Sequence, residues 1–190
     1  PDAMRDALSV GMVARVDALR RALGPARLCG YDRHVFETFG ISVIAARPHS
    51  IGGPRMAFRK YLAKRFGVHT LAESTARLCR LFDQVPIDHR IVVLAHCGPA
   101  GLGASRTDIY GADFRPDEGD WGDADLAQAL THAKDTGKIV MAVIAGHMHH
   151  RVRGGGERTW HIEREGVHHI NAARVPRARR EERHHVSVTL

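Results

Sequence analysis

The sequence predicts an α/β fold, with helix and strand alternating first and a strand-rich meander after residue 150. Three observations carry this. Two apolar runs, Ile91-Val92-Val93-Leu94-Ala95 and Ile139 to Ala145, have the length and composition of buried strands. Helical periodicity precedes each of them. Beyond residue 150, short β-prone segments are separated by Gly-rich turns. Two sheets packed together with helices outside suit that order.

The elements follow in turn. Ala3 to Leu23 reads as an amphipathic helix, with Leu8, Met12, Val16, Leu19 and Leu23 at helical spacing, and Gly24-Pro25 stops it. Ile41 to Ala46 reads as a buried strand, and Arg47 to Pro54 as a loop rich in Gly and Pro. A helix over Ala57 to Phe66 is broken by Gly67. Thr70-Leu71-Ala72-Glu73 has the form of a capping box and opens a helix to about Asp83. After the strand Ile91 to Ala95, a long polar loop reaches Asp123, a candidate N-cap for a helix to about Lys134. Strand Ile139 to Ala145 follows Gly137. Arg151-Val152-Arg153 and Thr159 to Ile162, around Gly154-Gly155-Gly156, read as a hairpin. Val167 to Ala172 and Val186 to Leu190 read as two last strands.

Composition narrows the class. The chain has 190 residues and is 44% hydrophobic, which suits one domain, or most of one, with a real core. Its three cysteines (Cys29, Cys79, Cys97) are too scattered for a disulfide framework or a Cys-x-x-Cys zinc site, so the expected compartment is cytoplasmic. No signal peptide or membrane-spanning run is read, and no membrane partner is expected. The net charge of +7 comes mostly from Arg. The cluster Arg174, Arg177, Arg179, Arg180 and Arg183 is interrupted by Glu181 and Glu182 and lacks interleaved aromatics. A solvated loop is therefore favoured there over a nucleic-acid surface. His168-His169 and His184-His185 are expected at the surface.

The chemistry concentrates at two strand ends. The run Gly146-His147-Met148-His149-His150 puts two imidazoles, two positions apart, on one side of an extended turn. Gly146 is expected to let the backbone turn sharply. His96-Cys97-Gly98-Pro99 ends the other strand in the same way. Side by side, such ends place three imidazoles where ligands bind in layered α/β folds. Three histidines suit one cation, or two held ~3.5–4 Å apart. His150 is expected to point away, and Cys97 to be a small buried residue.

The order "strand, His-x-Gly-Pro" then "strand, Gly-His-x-His" resembles the C-terminal half of the calcineurin-like metallophosphoesterases. Four further segments, Ala46 to Gly53, Leu94 to Gly103, Gly119 to Leu126 and Asn171 to Arg177, resemble a bacterial and plastid branch of predicted phosphoesterases. The resemblance implies a four-layer α/β/β/α sandwich. Residues 1–190 would form the C-terminal part of one such domain, truncated at the N-terminus. Three further motifs of that family, Asp-x-His, Gly-Asp-x-x-Asp and Gly-Asn-His, are expected upstream. Asp32-Arg33-His34 and Gly119-Asp120-Trp121-Gly122-Asp123 spell the first two, but they are expected to be structural.

By family position His96 and His147 would ligate a second metal and His149 a first, the pair being Mn, Fe or Zn. The implied function is hydrolase action on a phosphoester, from a small molecule or a phosphoprotein, by a metal-bridging hydroxide. Arg47 and Ser50, in the loop after a strand, are candidates to bind substrate phosphate; Asn171 and Arg177 are similar candidates. Without the upstream motifs the chain is expected to be inactive. The competing readings are a non-catalytic zinc-binding protein built on the same histidines and a basic nucleic-acid-binding module.

Overall fold

The computed structural model describes residues 21, 29–115, 117 and 119–173. Within them a mixed sheet forms from β1 (Asp32–Phe36), β2 (Ile41–Ala45), β3 (Arg90–Leu94), β4 (Ile139–Ala145), β5 (His161–Arg164) and β6 (Val167–Asn171). The strand order is β1-β2-β3-β4-β6-β5. Neighbours among β2, β3, β4 and β6 run parallel, while the outer strands β1 and β5 pair antiparallel. Helices α1 (Arg59–Phe66) and α2 (Leu71–Asp83) connect β2 to β3, and α3 (Ala124–Asp135) connects β3 to β4. No described helix is long and apolar enough to cross a membrane.

The apolar runs explain the centre of this arrangement. Ile44, Ile91, Val93 and Val143 pack against Leu62 of α1, Leu78 and Phe82 of α2, and Leu126, Ala129 and Ala133 of α3. Alternation along the strands sends Val43, Leu94 and Ile144 to the opposite face, where they are only partly covered. Helix α2 begins as its capping signal requires. The Thr70 hydroxyl accepts from Glu73 N at 3.1 Å, and Glu73 reaches back to the His69 N–H at 2.6 Å.

Several expectations change. β1 was not foreseen, because a five-residue edge strand led by Asp32 and Arg33 has no apolar run. The hairpin expected around Gly154–Gly156 is reduced to one isolated bridge, Arg151 to Glu157. The regular hairpin is β5–β6, turned by Glu165 (φ 54°) and Gly166 (φ 76°), the backbone signs of a two-residue type I′ turn. His169, expected at the surface, is 5% exposed. Its register partner is Val143, so it points toward the helix-covered face. The described residues form one sheet, so the α/β class is seen, but a second sheet is not seen among them. The helix expected over Ala3 to Leu23 (apart from helical Arg21), the strand Val186 to Leu190 and Arg177 lie outside the described residues.

Candidate metal centre

Four parallel strands deliver their C-terminal ends to one edge of the sheet, and the chemistry-bearing loops start there. The β3–β4 pairing continues past the strands through Ala95 N to Ile144 O (3.0 Å) and Gly146 N to His96 O (3.0 Å). That pairing sets His96 beside His147, with ring centroids 4.9 Å apart and a tilt of 48°. The sharp turn falls on His147 and not on Gly146. His147 has φ +67°, and Met148 N bonds back to Gly146 O at 2.8 Å across it. An i to i+2 bond around a positive φ is a strained γ-turn. Gly146 has room for a methyl group, its nearest neighbour being 3.7 Å from an added Cβ.

The His96 ring is tethered to the loop after β2. Its Nδ1 bonds the Ser50 carbonyl, and the next carbonyl, of Ile51, is near enough to the His147 ring to act on its protonation. A carbonyl on one ring nitrogen fixes the tautomer and leaves the other nitrogen's lone pair for a ligand. Burial lowers the His147 pKa, with His96 and His149 adding to the effect and the Ile51 carbonyl opposing it. The imidazole is thus neutral at pH 7, the form that binds a metal.

His149 is exposed, two residues along the same loop. The loop backbone is fastened from below. Asn171 Nδ2 donates to Met148 O at 2.7 Å and to Ile109 O at 3.2 Å. Arg158 donates to His149 O at 3.0 Å, Asp108 O at 2.8 Å and Gly111 O at 2.5 Å. His150 turns aside to the Asn171 carbonyl at 2.8 Å. Cys97 is fully buried against Tyr110, Ala145 and Met148, and burial pushes its thiol pKa well above the usual value.

The candidate phosphate-binding side chains are placed otherwise. Arg47 is 2% exposed and bonds Asp125 through Nε (2.8 Å) and Asp123 through Nη2 (2.6 Å). Ser50 is buried and donates to Asp123. Asn171 is buried and fully engaged with backbone groups. All three shape the loops around the histidines, and none presents a side chain to a surface. Asp123 sits at the N-cap position of α3, yet its carboxylate does not cap the helix. It is pushed up to about 7 by burial, which Asp125 reinforces and which Arg47 and Ser50 oppose. The two look-alike motifs have partners of their own: Asp32 and His34 pair at 3.2 Å on edge strand β1, and Asp120 accepts from Gly101 N and Gly122 N.

The sequence did not single out three participants. His49 (φ +58°) is half-buried, touches Tyr61 edge-on at 5.3 Å, and leaves Nε2 buried without a hydrogen bond. Burial lowers its pKa, and His96 lowers it further. Arg158 is a lone Arg in a polar stretch, with no periodic signal. Trp121 donates its indole N–H to Ile51 O at 2.9 Å, the carbonyl next to the one that holds His96.

Whether a metal fits can be judged from the donors. The paired imidazoles fit one flank of a cation site. Among the described residues, however, no three His, Cys, Asp or Glu groups are placed to hold one ion. Comparison with protein-family models, with curated proteins and with solved structures finds no significant match.

Proposed function

We propose that this chain is the histidine-bearing part of a metal-dependent phosphoester hydrolase, with His96, His147 and His149 as ligands to divalent manganese, iron or zinc. The observation that supports it most is the 4.9 Å pairing of His96 and His147, with the His96 ring tied to the Ser50 carbonyl. Metal-bound histidines are commonly held in this way. The ordered motifs from Ala46 to Arg177 support the same reading. The partly covered apolar face of Val43, Leu94 and Ile144 suits a layered sandwich in which a second sheet packs there.

When bound, such cations polarise phosphoryl oxygens and make bound water acidic. The chain's own residues orient and hold. The Ser50 carbonyl aims the His96 ring, and Asn171 and Arg158 fix the backbone between His147 and His150. In this reading the described residues would supply one side of a two-metal centre. The carboxylates near it in the chain are already spent: Asp123 and Asp125 on Arg47, Ser50 and Ser74, and Asp120 on backbone amides. No hydrolytic step is therefore assigned to this chain alone. The substrate is a phosphoester, carried by a small molecule or a phosphoprotein. A closed zinc site needs about four ligands, and no such group is present among the described residues. The basic segment after residue 173 lies outside them and gives the nucleic-acid reading no geometry.

Zinc or manganese titrated into metal-stripped protein tests the reading. Binding that His147→Ala weakens by about tenfold or more supports it, and binding indifferent to that change overturns it. Hydrolysis of a bis-aryl phosphate in manganese is expected to be weak or absent; brisk turnover surviving His147→Ala would also overturn it.

A further inference from the structure

A cavity of about 350 Å³ opens beside Trp121, with Gly53, Arg115, Asp117, Trp121, Gly122 and Ala124 among its lining residues. Its volume lies at the lower end of the range for small-molecule sites, roughly 300–1,000 Å³. It adjoins the histidines through one loop. Ile51 O accepts from the Trp121 indole at 2.9 Å, and the preceding carbonyl, Ser50 O, holds the His96 ring. Consecutive carbonyls thus carry the indole and a histidine. The indole is thus a wall of the cavity and a neighbour of the candidate metal ligand.

The chemistry of that wall is aromatic and planar. The Arg115 guanidinium is exposed and lies 5.2 Å from the indole centroid. Phe114, 40% exposed, meets the indole edge-on at 5.0 Å. Gly53 packs so close to the indole that an added Cβ would sit 2.6 Å from it. The six-membered ring is therefore held in place by backbone. A fixed indole with a guanidinium laid on it is the start of a stack, and a flat base can extend it on the guanidinium plane. Asp117 adds an acceptor for exocyclic amino groups, which a simple phenyl ring lacks.

We propose that this cavity takes the nucleobase of a nucleotide whose phosphate lies toward His96 and His147. This deepens the phosphoester reading and rests on it for the phosphate end only. The test uses AMP on the metal-stripped protein in EDTA, read by Trp121 fluorescence in a Trp160→Phe background, since Trp160 is the chain's other Trp. Saturable AMP binding, with ribose 5-phosphate and phenyl phosphate each about tenfold weaker, is expected. Arg115→Ala and Arg115→Lys are both expected to weaken AMP about tenfold, because lysine keeps the charge and loses the plane. Neither variant should move the thermal unfolding midpoint. Absent AMP binding, equal binding of ribose 5-phosphate or phenyl phosphate, or full affinity in Arg115→Lys would overturn the assignment. Because no metal is present, failure here leaves the zinc titration untouched. Conversely, AMP binding that persists in a protein unable to bind zinc would remove the hydrolase reading alone.

Discussion

Arg158 Nε donates to the carbonyl of His149 at 3.0 Å, so a buried guanidinium carries the backbone of a candidate ligand. Burial lowers the pKa of that guanidinium, and Asp113, 3.4 Å away, opposes the shift. Arg158→Met removes bonds to three carbonyls at once. A loss of about 3 kcal/mol in urea unfolding is expected, together with weaker zinc binding although every imidazole remains. Full zinc affinity in a destabilised Arg158→Met would show that the clamp serves the fold only.

Arg47 presents the larger electrostatic debt. Its removal leaves Asp123 and Asp125 buried with no cation between them. Arg47→Met is expected to cost about 3–5 kcal/mol at pH 7.5. The cost should shrink at pH 5, where Asp123, already pushed up to about 7, is protonated. Adding Asp123→Asn to Arg47→Met should recover part of the loss. Denaturant midpoints at the two pH values check this, and a cost independent of pH would contradict it.

His147 separates stability from function. Its φ of +67° suits glycine and costs an L-residue about 1–2 kcal/mol. His147→Gly trades that relief against chain entropy. Its stability is expected within about 1 kcal/mol of the parent, with zinc binding lost. His147→Val is expected to be less stable than His147→Gly, since a branched side chain resists positive φ. The reverse order in thermal unfolding would remove the case for strain.

His169 makes stability depend on acidity. Burial lowers its pKa from 6.5 to about 4, helped by Arg164, His161 and His168. A depressed folded value means the unfolded chain binds the proton first. The stabilisation is therefore present above about pH 6.5 and drains away as the pH falls toward 4. After allowance for partial solvent screening, about 1–2 kcal/mol is expected to vanish across that window. Asp123 works in the opposite sense, because its raised value favours the folded state most at low pH. The effect is isolated by comparing the parent with His169→Leu at pH 7.5 and pH 4.5. Parallel changes in the two proteins would contradict it.

The legibility of the sequence tracks physical signal strength. β3, β4, α2 and α3 were readable because continuous apolar runs, capping residues and helical spacing all agree there. The placement of His96 and His147 followed from two strand ends, and parallel pairing brought them together. The tight turn was misassigned to Gly146, although it is His147 that adopts positive φ. Gly98 is a glycine that packing demands, since an added Cβ would lie 2.0 Å from the Tyr110 ring. The Arg47–Asp123–Asp125 cluster spans 76 and 78 residues of sequence separation, and no local pattern encodes such a pairing. Arg47 and Ser50 looked like anion ligands because a Gly-rich loop after a strand is compatible with either role. The carbonyls of Ser50 and Ile51 were illegible because a backbone oxygen carries no residue identity.

Cys97 follows His96 directly, and its sulfur is walled in by Tyr110, Ala145 and Met148. An alkylating reagent reaches it only when the packing around the two histidine-bearing segments opens. Its labelling rate is therefore an internal clock for breathing at that seam, and it can be read against the half-covered Cys29 and Cys79 in the same molecule. An ion that bridged the segments would slow this clock while leaving the other two thiols at their own pace.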